Sequence, residues 1–137
     1  KEGQILIDRF LNNMPKLKSL RTNLTKAAES GVIKGLDGRL IHIRNSYSAV
    51  NSLIQGAGAV VCKQWLVQMH EEINIQGLDA KLVASIHDEY QFEVSKKDVQ
   101  QFGKITKESI KKAEQVYDLK CPLDSEFKVG KTWAETH

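Results

Sequence analysis

Cysteine is scarce in this chain, present only as Cys62 and Cys121. The two have neither a zinc-site spacing nor a companion pair, which argues against a disulfide framework and for reduced thiols in the cytoplasm. Long hydrophobic runs are missing as well. No apolar stretch approaches the ~20 residues that a membrane-crossing helix needs, so no membrane role is implied. The opening Lys1-Glu2-Gly3-Gln4 lacks the apolar core of a signal peptide and even a methionine, and reads as the start of a fragment. Charge of one sign does not dominate: the balance of +3 is compatible with a polyanion partner but too mild to demonstrate one. Internal repeats, linkers and low-complexity stretches are not found.

What is there is an ordinary globular composition, 41% hydrophobic and 27% charged over 137 residues, one domain's worth of chain. Ile5 to Asn13 carries i to i+4 apolar pairs and predicts a short helix ending at Met14-Pro15. A second helix is expected from Pro15 to Ser30, with Leu17, Leu20, Leu24 and Ala27 on one stripe and Gly31 as its C-terminal cap. Val32 to Arg44 reads as a hairpin turning at Asp37-Gly38. Arg44, just beyond it, is a candidate phosphate contact, while His42 is read as structural. A long helix is expected from Ser48 to Asn74. On it Asn51 and Gln55 stack on one face, and side-chain amides suit the acceptors of the DNA minor groove. Gly56 and Gly58 follow at once, suggesting that something bulky approaches that face. After Gly77 and a second hairpin, Ser95 and Asp98 suggest a capping box for a helix reaching about Tyr117, its apolar stripe backed by Lys96, Lys97, Lys104, Lys107, Lys111 and Lys112. These lysines read as a solvated face. Leu123 to Val129 is expected to be a strand.

The second hairpin is the centre of the chain. Leu82-Val83-Ala84-Ser85-Ile86 reads as a buried strand and Tyr90-Gln91-Phe92-Glu93-Val94 as a half-buried one. Between them lie His87, Asp88 and Glu89. A tight turn would hold the two acids at its tip, where a hard cation could be bound; an exposed, solvated turn is the plain alternative. The glycine usual in such a turn is missing.

Ile86-His87-Asp88-Glu89 between these strands resembles the third conserved motif of the family A DNA polymerases. Gly35-Leu36-Asp37-Gly38-Arg39, then Asn51-Ser52-Leu53-Ile54-Gln55-Gly56-Ala57-Gly58-Ala59, then Trp133-Ala134 with terminal His137, are similar to the C-terminal part of the T7-like phage members. The resemblance covers nearly the whole chain. It implies an α+β fold, two β-hairpins and a C-terminal strand in a small antiparallel sheet packed on helices, forming a single segment 1–137 of a polymerase palm. Exonuclease, thumb and most of the fingers would be absent.

The resemblance further implies template-directed nucleotidyl transfer from a deoxynucleoside triphosphate to a primer 3'-hydroxyl. Two Mg2+ ions about 4 Å apart would assist. Asp88 would bind metal, Glu89 would be an auxiliary carboxylate and His87 would lie near the primer terminus. Asn51 and Gln55 match minor-groove contacts to the primer-template; the basic residue that cellular members often carry four positions before the Asn is Tyr47 here. The family's other catalytic Asp and its triphosphate-gripping helix are not found in this sequence. The chain alone is therefore expected to be inactive, with an upstream polymerase segment as partner and an exposed sheet edge or apolar face left to receive it. The alternatives are a non-catalytic DNA-binding or assembly module on the same scaffold and, less favoured, an unrelated metal-dependent hydrolase.

Overall fold

The computed structural model describes residues 2–136, so the expectations placed on Lys1 and His137 lie outside the described residues. The chain divides into two compact units, 1–57 and 58–137. No helix among the described residues is long and apolar enough to cross a membrane.

In the first unit, α1 (Glu2–Asn13) and α2 (Pro15–Ala28) break at Met14, because Pro15 stands at the first helical position. α2 buries Leu24 and, one turn on, Ala28 rather than Ala27; Leu17 is half-buried and Leu20 exposed. Gly31, at φ +80°, then sends the chain into β1 (Val32–Lys34), which pairs antiparallel with β2 (Leu40–His42) in register Ile33↔Ile41. Gly38, at φ +85°, supplies one left-handed position, but Asp37 does not share it: the connection is not a two-residue positive-angle pair but the longer loop 35–39, closed by the Gly35 N–H donating to the Arg39 carbonyl at 2.8 Å. Ile33 and Ile43 are buried with Leu24, Ala28 and Ala49, and Ile41, Val50 and Leu53 pack on them; His42 stays exposed on the other side. Burying Leu24, Ile33 and Ile43 stabilises the unit by about 1.5–3 kcal/mol each, and the two alanines add less. A single turn, Ser46–Ser48, capped by the Asn45 side chain, leads into α3.

α3 (Ala49–Gln76) crosses from the first unit to the second at Ala57–Gly58. In the second unit β3 (Ala80–Ile86) and β4 (Glu89–Val94) form a separate two-stranded antiparallel sheet. Its register is Leu82↔Phe92 below a bulge and Ala84↔Gln91 above it, so Val83 is the extra residue. Trp65 of α3 packs against Tyr90 with ring centres 5.3 Å apart and the rings tilted by 59°, and Phe92 against Phe102 of α4 (Val99–Val116) at 4.8 Å and 53°. Beneath them Met69, Ile73, Ile105, Ile110 and Ala113 are buried, and the Trp65 indole donates to the Thr106 carbonyl at 2.9 Å. The hairpin thus rests on two helices by one face.

Four further expectations are corrected here. β3 is not a buried strand: Leu82 and Val83 are 44% and 62% exposed, since a ladder with only β4 leaves an outer face uncovered. Asp98 caps no N–H of α4; its carboxylate instead accepts the Asp79 N–H at 3.1 Å, pinning the entry to β3. Residues 123–129 are extended but join no ladder. Side chains hold them instead: the Glu114 carboxylate accepts the Leu123 N–H, Lys111 donates to the Leu123 carbonyl, and the Phe127 ring fills the notch over Gly103, where a Cβ would come within 2.3 Å of it. Gly56, finally, faces Ile41, whose Cδ1 would lie 3.2 Å from an added Cβ, while Gly58 is open; the close approach on that turn is made by the protein's own hairpin.

Candidate active site

Ile86 pairs with Glu89, so the turn is the two residues His87 and Asp88 alone, and the tip sits one residue earlier than expected. His87 has φ +55°, the only left-handed position in the turn, where hairpins of this length usually carry glycine. Histidine tolerates that region better than most residues, at a cost on the order of 1 kcal/mol, and such strain concentrates where a side chain is needed. His87→Gly is accordingly expected to leave stability in urea unchanged or raised by up to about 1 kcal/mol. Loss of stability would show that the turn is unstrained.

His87 and Asp88 are exposed, and Glu89, the first residue of β4, is half-buried. On the same face of β4, the Gln91 amide donates to the Glu89 carboxylate and accepts from the Thr136 hydroxyl at 3.2 Å. Cys62 of α3 is near enough to the turn to feel the Asp88 charge. Burial raises its thiol pKa and the nearby Asp88 carboxylate raises it further; Tyr90 is likewise raised by burial and then by Cys62. The turn thus closes the β3–β4 ladder, with the exposed Asp88 carboxylate at its tip.

Among the described residues no group of three or more His, Cys, Asp and Glu gathers around a point that could hold a metal ion. Magnesium is commonly held by one or two carboxylates, the rest being water and phosphate oxygens, so Asp88 with Glu89 fits a partial site and not a complete one.

Asn51 and Gln55 lie on α3 within the first unit, exposed and one turn apart; Arg44, beyond β2, is exposed there too. Sequence reasoning did not find Gln91 or Thr136, which are 45 positions apart and meet only in the fold. Nor did it find the division of charge. Residues 1–57 hold 9 of the basic and 4 of the acidic residues, a balance of +5, whereas residues 58–137 carry −2. On α4, Lys112 pairs with Glu72 and Lys111 is committed to the Leu123 carbonyl, whereas Arg39 with Asp37 is the sole ion pair among the described residues of the first unit.

The sequence profile of DNA polymerase family A matches residues 1–135. The DNA-directed DNA polymerase of Escherichia phage Phieco32 is 34% identical over 99% of this chain and 23% of its own length. That of Escherichia phage T7 is 32% identical over 98% and 22%. DNA polymerase I of Aquifex aeolicus is 31% identical over 98% and 24%. The chain therefore spans about a quarter of the length of these three relatives. Among solved structures, the POL domain of Pol1 from M. smegmatis, in complex with DNA primer-template and dNTP, superposes with a TM-score of 0.72 at 20% identity, covering 82% of this chain and 22% of that one. That likeness concerns the fold. The profile match over nearly every residue decides the family: this chain belongs to DNA polymerase family A.

Proposed function

We propose that the chain is the C-terminal catalytic-palm part of a DNA-directed DNA polymerase of the phage type, acting in viral DNA replication in the host cytoplasm. The observation that carries this is the two-residue turn that exposes Asp88 with Glu89 behind it, in a chain of family A. Asp88 would hold Mg2+, with Glu89 as auxiliary carboxylate; the ion would lower the pKa of the primer 3'-hydroxyl and neutralise phosphate charge. His87, projecting beside Asp88, would lie against the primer terminus. Asn51 and Gln55 would hydrogen-bond the minor-groove acceptors that every base pair shows, holding the primer-template without reading its sequence. Arg44 would meet a phosphate.

One Asp-Glu pair is half of a two-metal site, so the reading requires an upstream polymerase segment that supplies the other Asp and the grip on the triphosphate. The exposed Leu82 and Val83, and a groove of about 350 Å³ lined by Leu66, Val67, Ile73 and Leu82, suit a covering segment. The test is primer extension by the chain with and without that segment. Synthesis that needs both supports the reading; tight DNA binding without synthesis in the combined sample supports a non-catalytic DNA-binding module instead.

The charge division adds a second expected result. If the first unit meets the phosphates, Arg44→Ala should lower the slope of log K against log salt for duplex binding by about 0.9, one released counterion. Lys107→Ala on α4 should leave it unchanged. Equal slopes for the two variants would remove the assignment.

A further inference from the structure

The end of the chain is held in place step by step. Leu123 is fixed to α4 by Glu114 and Lys111, and Phe127 by the notch at Gly103. Next, the Glu135 carboxylate accepts the Lys131 N–H at 2.6 Å, and Gly130 lets the backbone pass so close to Glu135 that an added Cβ would stand 2.5 Å from its Cβ. These anchors deliver Thr136, on the short helix α5 (Trp133–Thr136), to Gln91.

The amide of Gln91 has one orientation that satisfies both neighbours. An ionised carboxylate only accepts, so the NH2 must face Glu89, which turns the amide oxygen toward the Thr136 hydroxyl. That hydroxyl has a single proton, shared between Gln91 and the Trp133 carbonyl at 3.1 Å. Across the ladder Gln91 faces Ala84, whose side chain has no polar atom to offer.

We propose that Gln91 and Thr136 are positioning residues for Glu89: the tail fixes the amide, and the amide fixes the carboxylate next to the Asp88 turn. This rests on the polymerase reading above. Neither residue would touch substrate; both would act on the rate by holding Glu89 in one rotamer, as residues behind a metal ligand do.

The test is single-turnover primer extension by the chain combined with its upstream segment, beside an Asp88→Ala arm. Gln91→Met, which keeps the volume and loses both hydrogen bonds, should slow extension about 10- to 100-fold with the KM for primer-template unchanged. Thr136→Val should slow it in the same direction, Thr136→Ser should restore it, and the Gln91→Met/Thr136→Val double variant should be no slower than Gln91→Met alone. If Gln91→Met does not fold, the Thr136 pair at the chain's end decides. Extension at the unaltered rate in Gln91→Met, or equal loss in Thr136→Ser and Thr136→Val, overturns the proposal while Asp88→Ala still abolishes synthesis. Synthesis that survives Asp88→Ala overturns the polymerase reading, and this role with it.

Discussion

Asp88→Ala is expected to reduce primer extension by the combined polymerase by about 10³-fold or more, with duplex binding changed by less than about threefold. The magnitude follows from the several kcal/mol of charge stabilisation that a metal ion supplies in such a transfer, each 1.36 kcal/mol being tenfold in rate. The selectivity follows from place. Asp88 is exposed at the tip of the turn, and its contribution to the fold is small enough that its removal leaves the hairpin register, set by Leu82↔Phe92 and Ser85↔Tyr90, intact. Duplex binding is expected to reside with the first unit, which carries the +5 balance along with Asn51 and Gln55. Asp88→Asn should behave in the same way. A variant that lost duplex binding and synthesis together would point to a folding role for Asp88.

Met69→Ala is expected to destabilise the protein by about 2–5 kcal/mol, a large part of the 5–15 kcal/mol by which a domain is usually stable. Met69 is 1% exposed and lines, with Trp65, Tyr90 and Phe92, a half-open cavity of about 760 Å³ in the second unit. Truncating it enlarges that cavity under the strand that carries the turn. The urea midpoint should fall, and extension should fall with it. Ile75→Ala, six residues further along the same helix and 78% exposed, should stay within about 0.5 kcal/mol of the unaltered chain. Similar losses at both positions would mean that α3 is not seated as described.

These two variants separate what was legible in the sequence from what was not. The turn at Asp88 was legible because a hairpin is a local device: two short runs of the right period and a tight connection between them fix the turn to within one residue. The first hairpin was legible as a strand pair around Gly38, though its connection is a loop of residues 35–39 rather than the two-residue turn that Asp37-Gly38 suggested. The helices followed from periodicity, and their ends from Pro15, Gly31 and Gly77. Burial was less legible. Leu82 and Val83 look like core residues in a window of five, but whether an apolar strand is covered depends on what packs against it, and β3 has only β4 beside it.

The tail shows the limit most plainly. Phe127 and Val129 have the composition of a strand, and nothing local distinguishes that outcome from an extended arm. The deciding feature is Gly103, 24 positions earlier, whose missing side chain makes room for the Phe127 ring. A glycine inside a predicted helix is a visible signal, since it costs about 1 kcal/mol relative to alanine and needs a reason. Its partner could not be read from the chain. The same holds for Gln91 and Thr136: each is an ordinary polar residue until the fold brings them together over Glu89. Local chemistry thus announced the turn, and the packing that steadies it came from long-range contacts.

The central claim is that this turn anchors a divalent cation through Asp88. Adding Mn2+ to the isotope-labelled chain and following the broadening of its amide resonances tests that claim most directly. The account expects broadening greatest from Ile86 to Glu89, decaying with distance along β3 and β4, and removed by Asp88→Asn. Broadening centred elsewhere, for example at Glu71 and Glu72 on α3, or unchanged in Asp88→Asn, would contradict it.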